Sequence, residues 1–226
     1  MFLNNFFFGL YPYIALTVFL LGSIVRYDRE QYTWKTGSSQ MLSSKNFRIA
    51  SGFFHVGVIM ILLGHFAGLV IPYEFWHLFG ITLEAKQIIA MSVGGLFGAI
   101  CFIGLTLLVR RRLFEPRVRA TSSTMDIAIL LMLYAQLILG LISIFVSSGH
   151  MDGQEMLKLM NWTRHIVTFR PVEAAEFVAD VHWIFKLHVT LGMTLFLLFP
   201  FSRLVHIWSV PIKYIFRNYQ VVRQKA

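Results

Sequence analysis

Cysteine is nearly absent: Cys101 is the only one in 226 residues. An internal disulfide, a Cys-rich iron–sulfur or zinc site and the C-x-x-C-H attachment of a c-type haem are therefore excluded, so that any haem here is held non-covalently. Charge is scarce too, at 14% of residues, where a soluble domain carries about 25%. That sets aside a water-soluble globule. Acids are the rarer sign, 11 against 20 Lys and Arg, giving a net charge of +9. In so apolar a chain that excess marks cytoplasmic loops rather than a nucleic-acid partner. The segment Met1 to Gly9 lacks the positive n-region of a cleaved secretory signal and reads as the start of a retained first span, N-terminus outside.

What the chain has is apolar length: 57% apolar residues and a mean hydropathy of +0.66. The apolar residues fall in long blocks rather than short alternating strands, which predicts an all-α polytopic membrane protein. Five spans are expected, at about 6–25, 49–71, 88–109, 127–146 and 183–207, in one domain covering 1–226 with a cytoplasmic tail over 208–226. Pro12 sits near the outer end of the first span, where a break is tolerated if neighbours satisfy the freed carbonyl. The aromatic, acidic loop Tyr73 to Gln87 suits the headgroup level. Within the polar stretch from Ser147 to Asp180, the pieces Glu155 to Met160 and Val172 to Val181 are amphipathic. They predict short surface helices, not a sixth span.

Side counting orients this arrangement. Five spans put Arg26, Arg29, Lys35, Lys45, Arg48, Arg110, Arg111, Arg112, Arg117, Arg119, Arg203, Lys213, Arg217, Arg223 and Lys225 on one face. The other face keeps Lys86, Lys158, Arg164, Arg170 and Lys186, with seven acids. The bias reads N-out, C-in.

Four of the eight histidines fall inside spans: His55 and His65 in the second, His188 and His206 in the fifth. Ionisable groups at such depth are costly and point to function. In a continuous helix the step from His188 to His206 makes five turns, placing both rings on one face about 27 Å apart, whereas His55 and His65 are about 15 Å apart. The two spans run in opposite senses, so His65 pairs with His188 near the outer face and His55 with His206 near the cytoplasmic one. Two bis-histidine b haems fit that geometry, with tilt or a kink at Pro200 absorbing the mismatch in rise. Gly57, Gly64, Gly68 and Gly192 give a flat macrocycle, or a neighbouring helix, close access. A lone intramembrane histidine more often forms an interhelical hydrogen bond; four at matched depths favour ligation. His77, His150, His165 and His182 lie in outer segments and suit interfacial roles.

Arg112 and Arg203 are candidate partners of haem propionates, since a guanidinium matches a carboxylate in bidentate fashion. Ordinary loop charge accounts for the rest of the basic run. Lys86, near the depth of His65, is placed to hydrogen-bond a quinone carbonyl, unless it snorkels to the headgroups.

Several blocks carry a family resemblance: F-F-F-x-x-Y-P-Y-I (Phe6 to Ile14), R-Y-D-R-E-Q-Y-T-W (Arg26 to Trp34), F-H-V-G-x-x-x-x-x-x-G-H-F-x-G (Phe54 to Gly68), R-R-L-F-E-P-R-V-R-A-T (Arg111 to Thr121), H-M-D-G-Q-E-M-L-K-L (His150 to Leu159) and the long Leu187 to Pro211 block. Over nearly its whole length the chain resembles the gamma subunit, the dihaem cytochrome b, of membrane-bound respiratory nitrate reductase. The resemblance implies a distal haem on His65 and His188, a proximal haem on His55 and His206, and quinol oxidation at Gly64, His65 and Lys86 with protons released to the periplasm. It further implies electron delivery inward to an iron–sulfur beta subunit and a molybdenum alpha subunit that reduces nitrate, docked on the basic cytoplasmic face. This chain itself has no nitrate site. The competing readings are a cytochrome b of a hydrogenase, formate dehydrogenase or sulfur-metabolism complex and, from another class, a His-lined transporter. The latter needs polar residues along a water path, and the spans hold few beyond Gln136 and the histidines.

Overall fold

The computed structural model describes residues 2–34, 42 and 46–209. Lys35, Lys45, Lys213, Arg217, Arg223, Lys225 and the tail from 210 onward lie outside the described residues. In chain order the helices are α1 (Phe2–Arg29), α2 (Phe47–Val70), α3 (Tyr73–His77), α4 (Leu83–Phe114), α5 (Pro116–Ala120), α6 (Thr124–Ser148), α7 (Gln154–Val167), α8 (Pro171–Phe177) and α9 (Trp183–Phe201). Among the described residues there is no strand. Five of these helices, α1, α2, α4, α6 and α9, are long and apolar enough to cross a membrane. The all-α polytopic expectation holds.

The first four spans are longer than hydropathy alone marks. Polar residues at their ends are satisfied inside the helix frame: Thr82 Oγ1 accepts from Ala85 N at 3.2 Å to start α4, and Ser123 with Asp126 forms a reciprocal capping box on α6. Gln87, expected in a loop, is buried in α4 and donates to the carbonyls of Ser147 (3.0 Å) and His150 (2.8 Å).

The fifth span corrects a second expectation. Its α-helical bonding stops at Leu198; a 3₁₀ turn covers Phe199–Phe201, Ser202 is extended (φ −118°, ψ 176°) and a further 3₁₀ segment, Arg203–Ser209, carries His206. Pro200 has no N–H and its ring clashes with the preceding turn, which ends the ladder. His188 and His206 thus do not share one face of one helix. Arg26 from α1 holds the break, its Nη1 donating to the carbonyls of Pro200 and Ser202.

Small residues set the order of packing, as expected where lipid gives helices no hydrophobic drive to associate. A Cβ built on Gly57 of α2 lies 2.7 Å from Cys101 N on α4, and one on Gly98 of α4 lies 2.7 Å from Leu141 on α6. Helix α6 then meets α9, and α9 meets α1 through the Tyr11–Thr194 hydroxyl pair (2.8 Å) and Phe19 against Phe196. So α2, α4, α6 and α9 succeed one another, with α1 outside against α9.

The amphipathic pieces form α7 and α8, which cap one end of the bundle around Phe8, Trp162, Ile166, Ala174, Ala175, Val178 and Val181. Pro12 deprives the Phe8 carbonyl of its helical donor, and residues Phe6–Leu10 widen into a π-turn. Trp162 Nε1 supplies the missing bond at 2.8 Å.

Candidate functional site

His65 is the last α-helical residue of α2 before a π-turn over Phe66–Val70, and His188 lies on α9. Their rings face each other with centroids 6.0 Å apart and planes inclined by 31°. A metal bound by two opposed imidazoles, at about 2 Å from each nitrogen, places the ring centres on the order of 6 Å apart. The observed spacing has that size. On the His65 side of this pair the backbone is open, since a Cβ on Gly64 or Gly68 meets nothing within 4 Å. Of the four glycines noted in the sequence, Gly57 serves helix packing, Gly64 and Gly68 face free space, and Gly192 faces the side chain of Gln136.

Tautomers are set by local bonds. The Nδ1 atoms of His55, His65 and His206 pair with the carbonyls of Ser51 (2.7 Å), Ile61 (2.8 Å) and Arg203 (2.6 Å). An Nδ1–H held by a carbonyl leaves Nε2 with a free lone pair, the usual arrangement of a metal-binding imidazole. The donor chemistry therefore fits haem iron. Proximal candidates His55 and His206 are not in ring contact, unlike the distal pair. His206 departs from the expected helix because it follows the Pro200 break.

Lys86 sits in the first turn of α4, only 5% exposed, rather than snorkelling. Its Nζ donates to Gly68 O at 2.8 Å, one turn beyond Gly64 and His65, and to Met160 Sδ at 3.2 Å, and it lies 5.5 Å from the centre of the Trp76 ring. Met160 also lines a cavity of about 290 Å³ between the end of α2 and α7, beside Leu69, Tyr73 and Asn161. Lys86 is thereby tied to the turn of α2 that follows Gly64 and His65. The thioethers and the indole around the ammonium carried no recognisable sequence signal.

At the opposite end of the bundle, Arg112 Nη1 donates to Ser122 Oγ at 2.8 Å and Arg203 Nε lies 3.7 Å from Asp126. Asp126 and Arg203 are also charge neighbours of Arg112, so the two candidate propionate partners converge on one place. Two of the remaining histidines do local work: His182 Nδ1 caps α9 by accepting from Ile184 N at 3.3 Å, and His165 bonds to Asn161 O at 2.8 Å against the Phe177 ring. One contact was missed from sequence. Gln136 of α6 donates from Nε2 to His188 O at 3.0 Å; an uncharged amide alone in an apolar span was the available signal.

Fold and site define a class: a polytopic helical membrane protein whose second and fifth spans present facing imidazoles beneath an amphipathic cap. The family model for the nitrate reductase gamma subunit matches residues 4–225, and the chain belongs to that family. It is 53% identical to the respiratory nitrate reductase 1 gamma chain of Escherichia coli (strain K12), over 99% of each chain. To the respiratory nitrate reductase 2 gamma chain of the same organism it is 48% identical, over 99% of this chain and 98% of the relative. The nitrate reductase gamma chain of Bacillus subtilis (strain 168) is 36% identical, with 96% and 97% covered. The chain is thus an electron-transfer subunit of a membrane-bound oxidoreductase.

Proposed function

We propose that this chain is the membrane-anchoring dihaem cytochrome b subunit of a respiratory nitrate reductase in a bacterial inner membrane, oxidising quinol near the periplasmic face. The single observation that carries the reading is the opposed pair His65 and His188, 6.0 Å apart between α2 and α9, with the α2 backbone open at Gly64 and Gly68. Two b haems, when bound, supply a one-electron relay across the bilayer to an iron–sulfur beta subunit and a molybdenum alpha subunit. His65 and His188 would hold the distal haem and His55 and His206 the proximal one, each through Nε2. Arg112 and Arg203 would meet propionates by exchanging Ser122 and Asp126 for carboxylates, a pairing that guanidinium geometry favours.

Quinol binds against Lys86, His65 and the open backbone at Gly64. Thioethers are weak acceptors, so a quinol oxygen readily displaces Met160 from the ammonium, which has three protons to donate. The bond to Gly68 O keeps Lys86 at that depth. The arginine-rich end around α5 lies inside, where Lys and Arg accumulate, and receives the partner subunits. A single domain spans 1–226, N-out and C-in.

In membranes holding the assembled complex, His188→Ala is expected to remove one of two low-spin b-haem signals and quinol-driven nitrate reduction. A dye that donates directly to the partner subunits still supports nitrate reduction. Quinol-driven turnover that survives loss of that haem overturns the reading.

A further inference from the structure

His188 is the exception among the four span histidines. His55, His65 and His206 each have Nδ1 engaged by a carbonyl of their own segment, whereas His188 Nδ1 is buried with no partner. A second buried orphan belongs to the residue against it: Gln136 Oε1 has no partner either, while Gln136 Nε2 donates to His188 O at 3.0 Å and lies 3.4 Å from His188 Nε2. Two adjacent buried polar side chains, one keeping a free acceptor and the other a free ring nitrogen, are complementary. Buried orphans are uncommon enough to demand a physical reason.

The backbone around this contact is cut to fit it. A Cβ on Gly140, one turn along α6 from Gln136, would lie 3.1 Å from His188 Cε1; a Cβ on Gly192, one turn along α9 from His188, would lie 3.1 Å from Gln136 Nε2. Each helix thus places a glycine one turn from its own polar side chain, where it makes room for the other helix's polar side chain. Close approach of two spans at small residues is ordinary; a reciprocal pocket for an amide and an imidazole is more specific.

We infer that Gln136 is the orienting partner of the distal histidine, accepting the His188 Nδ1 proton on Oε1 in place of the backbone carbonyl that orients the other three imidazoles. The inference rests on the reading of His188 as a haem ligand. A half-turn of the imidazole about Cβ–Cγ exchanges its Nε2/Cδ2 edge for its Nδ1/Cε1 edge. Nδ1–H then faces the amide, and Nε2 turns away from it, free for iron. Such an outer partner fixes the tautomer and ring plane and raises the basicity of the ligating nitrogen. Gln136 therefore acts through His188; it is a positioning residue that touches neither quinol nor iron.

The test uses the purified whole complex with Gln136→Leu and Gln136→Glu, followed by redox titration of the b-haem absorbance and by electron paramagnetic resonance of the oxidised haems. Gln136→Leu removes the acceptor and should raise the midpoint potential of the haem that His188→Ala eliminates; Gln136→Glu strengthens the acceptor and should lower it. The g-values of that haem shift in both variants, while those of the other haem stay fixed. If Gln136→Leu does not assemble, Gln136→Glu decides alone. Potentials and g-values equal to those of the unaltered complex overturn the inference, as does an equal displacement of both haems, which marks a general packing defect. Both low-spin signals persisting in His188→Ala would instead bring down the ligand reading beneath it.

Discussion

At the scale of single residues, two kinds of polar group meet opposite fates. Lys86, His188 and Gln136 sit within spans: Lys86 answers to the Gly68 carbonyl, and Gln136 and His188 answer to each other. Lys158 and Asp180 sit on the outer cap and answer to water as well. Their contact is 2.9 Å, and Glu155 lies 3.2 Å from the same ammonium. The bond to Lys158 holds Asp180 below its ordinary 3.8, and the bond to Asp180 raises Lys158 above 10.5. The depressed carboxylate contributes stability above its unfolded value, and that contribution disappears as pH falls through the folded one. The raised ammonium contributes below 10.5 and loses that contribution as pH climbs past its folded value. Heat unfolding of the cap, followed by tryptophan fluorescence, should therefore be level between those limits and decline on both sides. Asp180→Asn should flatten this acid decline by lowering stability at neutral pH to the acid level, a small loss because Asp180 is exposed.

At the scale of elements, breaks in helices turn out to be held by distant side chains. The carbonyl that Pro12 strands is taken by Trp162 Nε1 across 154 positions. Trp162→Phe keeps most of the buried ring and loses the donor, so it should cost about 1–3 kcal/mol, the desolvation penalty of an unsatisfied buried carbonyl. The thermal midpoint of the purified complex reads this loss. The Pro200 break is clamped by Arg26, which also donates to Thr33 O at 3.0 Å. Arg26→Gln should loosen the Arg203–Ser209 segment and, on the proposed ligand set, perturb the spectrum of the haem assigned to His206 while leaving the other untouched. Perturbation of both haems together would contradict that assignment. In the α2–α4 seam, Gly57→Val drives a side chain onto the Cys101 backbone; overpacking of this kind costs about 1–3 kcal/mol and should lower accumulation of the complex.

At the scale of the whole molecule, the five spans divide the chain into a capped end and an arginine-rich end. The cap is built from α7 and α8 over α1 and the start of α4; the other end gathers Arg26, Arg112 and Arg203. The proposed orientation predicts the outcome of thiol labelling, which the single buried Cys101 makes simple to read. A membrane-impermeant reagent should label Thr168→Cys in intact spheroplasts and Thr121→Cys only after permeabilisation. The reverse pattern would invert the molecule.

The number of spans, the basic bias and the presence of histidines at two depths follow from the order of residues alone, because apolar length, Lys/Arg placement and helical rise are local or additive quantities. The same holds for the amphipathic cap and for the stranded carbonyl before Pro12. Tertiary structure decided the rest. Lys86 and Gln87 read as loop residues until Gly68, Met160, Ser147 and His150 were brought against them. The fifth span read as one continuous helix until Pro200, with Arg26 receiving the carbonyls beyond, ended it. Gln136 read as a stray polar residue until α6 met α9 at paired glycines. In each case the deciding partner lies many residues away in the chain, and a buried polar group takes its meaning from the partner that satisfies it.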